Sequence, residues 1–528
     1  MLRTLRSLLR LLVIARTLAR HDVLGALEEL RVAPGILWLA RRVYRRRAEG
    51  RPGQKLARAL TDLGPSFIKL GQFLSTRADL LGEQLAADLS DLQDRLPPFA
   101  SQAARDTIES ELGQPLSELF RSFDDAPISA ASIAQVHLAT VAGPVDGPVD
   151  GPGGEAGDGA PDVKVAIKVL RPGIERAFER DLELLYWVAG LAERTQPRLR
   201  RFKLVDSVRM FEETVRIEMD LRMEAAAAAE LAENFAEDPS YHVPRIDWQR
   251  TSRRVLTMAR IDGIPLDDRA ALLAAGHDLT EVLTKAAAIF FNQVFRDGFF
   301  HGDQHPGNMF VDAQGNIVAV DFGIMGRLDR KTRIFLADML LALLARDYRR
   351  LAEIHVEAGF LPAGQPRDTF AQALRSVSEP IFGRSLHEIS FARLLARMLQ
   401  LSEAFDMPVQ PQLLLLQKNM MMSEGISRRL DPELNIWTLA EPLIEAWMVE
   451  NRGPEARARG AIQDLGRALE RLPRLAADAE SLASDLAAGG LRLHPDSLEA
   501  LGAEGADRSA RWAFWIALAA LAVALLAV

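Results

Sequence analysis

Apolar residues recur at helical spacing from the first residue. Leu2, Leu5, Leu9 and Leu12 alternate with Arg3, Arg6, Arg10, Arg16 and Arg20, which predicts an amphipathic helix over 1–20. The pattern stays helical over 54–108, interrupted at Gly64-Pro65, with one helix ending at Pro97-Pro98. From Pro127 it changes period. Residues 133–140 alternate loosely and 163–170 form an apolar strand. Between them the tract 143–162, rich in Gly, Pro and Asp, predicts a disordered, enlarged hairpin tip. Helices follow from about 173 to 236, and a strand at 255–261. From 279 onward the pattern is helical apart from one hairpin, with strands at 308–311 and 317–320 and a turn at Gln314-Gly315-Asn316. An Ala- and Leu-rich helical stretch at 464–488, kinked at Pro473, leads to an uninterrupted apolar run at 512–528.

Composition narrows the classes. At 528 residues and 48% hydrophobic, the chain is expected to build two or more lobes. A net charge of −8 argues against general nucleic-acid binding, and the lack of cysteine removes disulfides, thiolate catalysis, zinc knuckles and iron–sulfur ligation. The basic start, continued at Arg41, Arg42, Arg45, Arg46 and Arg47, fits a helix on an anionic membrane surface, a transit peptide, or a solvated first helix. The final apolar run spans roughly 25 Å as a helix. Trp512 and Trp515 stand behind Arg508 and Arg511. It is expected to be a single-pass anchor in the inner (cytoplasmic) membrane, with the body on the cytoplasmic side.

The candidate chemistry lies around the hairpin. His301-Gly302-Asp303-Gln304-His305-Pro306-Gly307-Asn308 precedes it and Asp321-Phe322-Gly323 follows it. Asp303 can take a proton from a hydroxyl or orient a water. Asn308 and Asp321 offer hard oxygen ligands suited to Mg²⁺ on nucleotide phosphates. The spacing suits a kinase-like catalytic loop leading to a metal-binding turn. Upstream, Val165-Ala166-Ile167-Lys168 is an apolar strand ending in a lysine that can meet phosphates. Glu224, within Glu218-Met219-Asp220-Leu221-Arg222-Met223-Glu224, is the chosen partner for Lys168. No G-x-G-x-x-G precedes that strand. The corresponding loop contains Ser129, Ala130, Ala131, Ser132, Ile133 and Ala134, whose Cβ atoms predict a stiffer cradle than glycine would give. A hinge is expected at 255–263, with the backbone around Met258, Ala259 and Arg260 facing adenine.

These residues together resemble the UbiB family of atypical kinase-like proteins associated with ubiquinone biosynthesis, over most of the chain from about Leu56. Lys69-Leu70-Gly71-Gln72 is similar to its KxGQ motif, Glu218 and Asp220 to its ExD motif, and Ser129-Ala130-Ala131-Ser132 to its alanine-rich loop. Asp303, Asn308 and Asp321 match its catalytic aspartate, metal asparagine and DFG aspartate. Lys168 and Glu224 match its ion pair. The resemblance implies that the KxGQ helix folds over the site and meets the ExD acids, so that Lys69, Gln72, Glu218 and Asp220 gate it. This favours ATP hydrolysis or small-molecule phosphorylation. Three departures stand out: Ser129 opens the alanine-rich loop, the hinge lacks an acid after Met258, and the tail has one apolar segment where some relatives have two.

The expected fold is α+β and bilobal, protein-kinase-like, with an N-terminal helical extension, a helix-rich C-lobe and a C-terminal transmembrane helix. The expected divisions are a basic segment 1–52, a KxGQ extension 53–124, an N-lobe 125–262, a C-lobe 263–463, a helical linker 464–510 and a tail 511–528. The expected function is a membrane-associated atypical kinase or ATPase supporting ubiquinone biosynthesis, using ATP and Mg²⁺. Its partners would be membrane lipids, quinone-precursor lipids and biosynthetic enzymes, with no nucleic acid. The rival readings are a small-molecule kinase of the aminoglycoside-phosphotransferase type and a nucleotide-binding pseudokinase scaffold.

Overall fold

The computed structural model describes residues 2–23, 50–75, 96–142, 162–195, 203–362, 364–382 and 410–431, with single positions between these stretches and at 447. Residues 143–161 of the expected tract 143–162, the helical stretch 464–488 and the apolar run 512–528 lie outside the described residues.

Among the described residues eleven strands follow in chain order: β1 (Ser122–Phe123), β2 (Ser129–Ala130), β3 (Ala134–Ala142), β4 (Asp162–Leu170), β5 (Tyr241–His242), β6 (Val255–Ala259), β7 (Ile264–Pro265), β8 (Phe299–His301), β9 (Met309–Val311), β10 (Ile317–Ala319) and β11 (Met325–Arg327). The first sheet has the order β1-β3-β4-β6, with β2 also paired to β3, and all its pairs are antiparallel. Its inward residues Val165, Ile167 and Val169 are fully buried against Ala104 and Ile108 of helix Ser101–Leu112. The alternation of β4 therefore sends Ala166 and Lys168 to the opposite face. There the sheet meets helix Leu221–Asn234, which carries Glu224.

The second lobe is mainly helical. Helix Leu279–Phe291 runs into a π-helical turn, Asn292–Asp297, and then into β8. The predicted hairpin is present as β9 and β10, one residue shorter at each outer end, because Pro306–Asn308 forms a 3-10 turn. Sequence periodicity missed β1, β2, β5, β7, β8 and β11. Each is two or three residues long, too short to show an alternation. β8 and β11 pair antiparallel and bracket the catalytic segment from both sides. Gly302 is required there: a Cβ would stand 2.9 Å from the Ile324 carbonyl oxygen, which accepts the Gly302 N–H.

The N-terminal extension is helical as expected. Helix Leu2–Arg20 docks on the protein through Arg10. Its Nε lies 2.9 Å from Asp181 Oδ1, and its guanidinium lies over Phe67, 5.3 Å from the ring centroid. That arginine is committed to a protein contact. Helices Pro52–Leu63 and Pro65–Ser75 pack closely: a Cβ on Gly71 would lie within 2.8 Å of both Leu60 and Leu92.

One expectation is overturned. Among the described residues no helix is long and apolar enough to cross a membrane. The single-pass C-terminal anchor, the transmembrane element of the fold class and the inner-membrane placement built on them are withdrawn. That expectation rested on the apolar pattern of 512–528 alone.

Candidate active site

Lys168 stands where the first sheet meets the catalytic turn. Its Nζ lies 2.8 and 3.0 Å from the two Glu224 carboxylate oxygens and 2.9 Å from Asp321 Oδ1. Glu224 occupies the first turn of helix Leu221–Asn234, where the helix dipole favours a carboxylate. Burial works against charge on all three groups. For Lys168 the two carboxylates outweigh it and raise the ammonium above its ordinary range. For Asp321, half exposed, Lys168 likewise outweighs it and holds the carboxyl well below its usual range, with Lys69 helping. For Glu224 burial prevails over the attraction of Lys168, Asp321 adds repulsion, and the carboxyl is pushed up to about 7. Asp321 also sits at φ +63°, a left-handed conformation uncommon for a residue with a Cβ.

The loop carrying Asp303 is held through His301, which is fully buried. Its backbone N–H donates to Gln293 Oε1 at 2.9 Å, and its carbonyl accepts from Asn419 Nδ2. Its ring Nδ1 accepts the Asp303 N–H at 3.1 Å, which leaves Nε2–H to donate to the Val320 carbonyl at 3.2 Å. Burial lowers the imidazole pKa, so the ring is neutral and serves as a fixed brace. Asn308 Nδ2 donates to the Asp303 carbonyl at 3.0 Å, which orients its Oδ1 as the free ligand atom of the amide.

Asn308 Oδ1 and the Asp321 carboxylate are two hard oxygens on adjoining segments. Among the described residues no group of three or more His, Cys, Asp or Glu could hold a metal. Two protein oxygens suit Mg²⁺, which keeps waters and takes further ligands from phosphates. The residues therefore fit a metal arriving with a nucleotide.

The four gating candidates divide. Lys69 Nζ lies 2.8 Å from Glu218 Oε2, both side chains 11% exposed, so the extension does meet the first ExD acid. Asp220 instead N-caps helix Leu221–Asn234, accepting from the Arg222 N–H at 3.2 Å and pairing with its guanidinium at 2.7 Å. Gln72 lies on the Lys69 helix, half-buried.

The nucleotide-loop candidates also divide. Ser129 is exposed, Ala130 and Ala131 are half-buried, and Ser132, Ile133 and Ala134 are buried. The turn closes with the Ala131 N–H on the Ala134 carbonyl at 2.8 Å, and Arg171 donates to the carbonyls of Ala131, Ser132 and Pro97. At the hinge Met258 is buried. The Ala259 N–H donates to Arg245 and the Arg260 N–H to Lys164, so these two donors are taken. The Arg260 side chain pairs with Asp262 at 3.0 Å.

Sequence reasoning missed Gln293, Lys418 and Asn419. The last two lie on helix Pro411–Leu430, where Lys418 Nζ is 2.8 Å from Asp303 Oδ1 and Asn419 Oδ1 accepts the Gln304 N–H at 3.3 Å. Their one signal was a Gln-Lys-Asn run interrupting an apolar helix, which an ordinary solvated face also shows.

Comparison with known proteins places the chain in a family. Residues 91–149 and 153–355 match the model of the ABC1 atypical kinase-like domain, and residues 374–435 match the UbiB helical domain. A Marinobacter nauticus protein described as probable protein kinase UbiB is 44% identical over 427 residues, covering 80% of this chain and 75% of that one. Proteins of the same description from Azotobacter vinelandii and Pseudomonas paraeruginosa are 43% and 39% identical, covering 84% and 88% of this chain and 79% and 85% of theirs. A solved structure, the Rv3197–erythromycin complex from Mycobacterium tuberculosis, aligns with a TM-score of 0.47 at 24% identity, covering 71% of this chain and 90% of that one. That overlap is too low to bear on fold or chemistry. On the family model and the curated relatives, the chain belongs to the ABC1/UbiB family of atypical kinase-like proteins.

Proposed function

We propose that this protein is an ATP- and Mg²⁺-dependent phosphotransferase or ATPase that supports ubiquinone biosynthesis. The observation that carries the reading is the position of Lys168, bonded at once to Glu224 and Asp321. A lysine so placed is tethered by one acid and can exchange the other for phosphate oxygens. Glu224 keeps the ammonium aimed into the site. Asn308 and Asp321 would hold Mg²⁺, which supplies positive charge against the charge developing on the phosphoryl group. Asp303 orients the attacking oxygen of water or a hydroxyl and takes its proton. The new oxygen–phosphorus bond forms as the bond to the bridging oxygen breaks, and ADP leaves.

The loop Ser129–Ala131 and the hinge Met258–Arg260 are assigned to the nucleotide. With the Ala259 and Arg260 N–H groups engaged, adenine would be read mainly by carbonyls and shape. Lys69, paired with Glu218, is assigned to the gate, with Gln72 and Asp220 beside it. Quinone-precursor lipids, membrane lipids and enzymes of the pathway are the partners that suit this role. Cells lacking the gene should lose ubiquinone. The intact gene should restore it and an Asp303→Asn copy should not. Equal rescue by both copies would refute the catalytic reading.

A further inference from the structure

We infer that Lys418 is a positioning residue for Asp303, supplied by the C-terminal helical segment: it holds Oδ1 of that carboxylate and leaves Oδ2 to face the attacking oxygen. The inference rests on the catalytic reading above and deepens it.

The ion pair is 2.8 Å long, and its two side chains are 33% and 29% exposed. A pair this open to water contributes little to stability. What surrounds it is built more firmly. The next residue, Asn419, is fully buried and spans the loop on both sides of Asp303, donating to the His301 carbonyl and accepting the Gln304 N–H. One turn later Ser423 Oγ reaches Gln304 Oε1 at 3.4 Å. These bonds fix the register of helix Pro411–Leu430 against the catalytic loop, so Lys418 cannot drift from Asp303.

A carboxylate can rotate about its last torsion and present either oxygen. Asp303 is anchored to the loop by backbone bonds alone: its N–H donates to His301 and its carbonyl accepts from Asn308. Neither sets the rotation of the carboxylate. The Lys418 ammonium does, by bonding Oδ1. It also places a fixed positive charge beside the group where phosphoryl charge would develop.

The experiment uses the full chain and compares wild type, Lys418→Met, Lys418→Gln, Lys418→Arg, Asp303→Asn and the Lys418→Met/Asp303→Asn double variant. Mg·ATP turnover, affinity for Mg·ADP and for Mg·ADP with aluminium fluoride, and Tm are read for each. Lys418→Met and Lys418→Gln should lower kcat about 10²-fold, the cost expected of a misplaced catalytic group, with KM little changed. Affinity for Mg·ADP should be kept, and that for the aluminium fluoride complex should fall. Lys418→Arg should recover most of the rate, and the double variant should be no slower than Asp303→Asn alone. Wild-type-like turnover in both neutral variants would overturn the inference while leaving the catalytic reading intact. So would losses that multiply in the double variant. A wild-type chain that binds Mg·ATP without turning it over would overturn both.

Discussion

Lys168 and Asp321 lie 2.9 Å apart, the expected phosphate lysine bonded to the expected metal ligand. Binding of Mg²⁺ and nucleotide would have to draw the two apart, giving the lysine to phosphate and the carboxylate to metal. Asp321→Asn removes the ligand's charge and weakens the pair at once. In the wild type Mg²⁺ should tighten ATP binding by about tenfold or more, which is about 1.4 kcal/mol per decade. In Asp321→Asn it should change affinity by less than about twofold. Calorimetric titration of ATP with and without Mg²⁺ checks this.

Glu224 gives a pH dependence with a definite sign. Its folded-state carboxyl is raised from 4.5 to about 7, first by burial and then by Asp321, against Lys168. Between those values the folded chain binds more protons than the unfolded chain. This group therefore makes stability fall as pH rises through the window. Asp321 acts oppositely. Its depressed carboxyl contributes stability present above its ordinary value near 3.8 and lost as pH falls through its lower folded value. From pH 4.5 to 7 the Glu224 slope should stand alone among the two and vanish in Glu224→Gln. ATP affinity should run the other way, weakening below pH 7 as protonation loosens Glu224 from Lys168. Denaturation and binding measured at pH 6 and 8 test both signs.

The Lys69 and Glu218 side chains are each 11% exposed, so removing the lysine takes the paired charge from a largely covered carboxylate. Lys69→Met should cost about 3 kcal/mol, toward the range for breaking a covered ion pair. The double variant Lys69→Met/Glu218→Gln should recover part of that loss. A double-mutant cycle by urea unfolding measures the coupling. Additive losses would show that the pair does not join the extension to the N-lobe.

Gln293 braces the catalytic loop from the π-helical turn through its bond to the His301 N–H. Gln293→Leu leaves that buried donor unsatisfied and should cost about 1–3 kcal/mol. It should also lower turnover more than it lowers nucleotide affinity, because the N–H it holds belongs to the Asp303 loop. Tm, KM and kcat for this variant decide whether the brace serves catalysis or only folding.

Local pattern carried much of this site. The β9–β10 hairpin and the β4 lysine were legible because each depends on a short run with its own period or spacing, while Glu224 stood among three acids and took its weight from the family resemblance. Family resemblance added the Lys69–Glu218 contact, which no spacing could give. Lys418 was not legible: it lies 115 positions from Asp303, and a lysine on a helix ordinarily meets water. Asp220, expected at the gate, is also the N-cap of helix Leu221–Asn234, a role the sequence analysis did not read. The hinge was read only as backbone facing adenine. That the Ala259 and Arg260 N–H groups are taken was not legible, because their acceptors on Arg245 and Lys164 come from other parts of the chain, the second from β4.

The most direct test of the central claim is Mg·ATP turnover by the purified full chain beside Asp303→Asn, with binding of Mg·ATP to each measured in parallel. The account predicts that both bind the nucleotide with similar affinity and that the variant loses about 10²-fold or more in turnover. Equal turnover in the two would contradict it, and binding without turnover in either would make the protein a nucleotide-responsive scaffold.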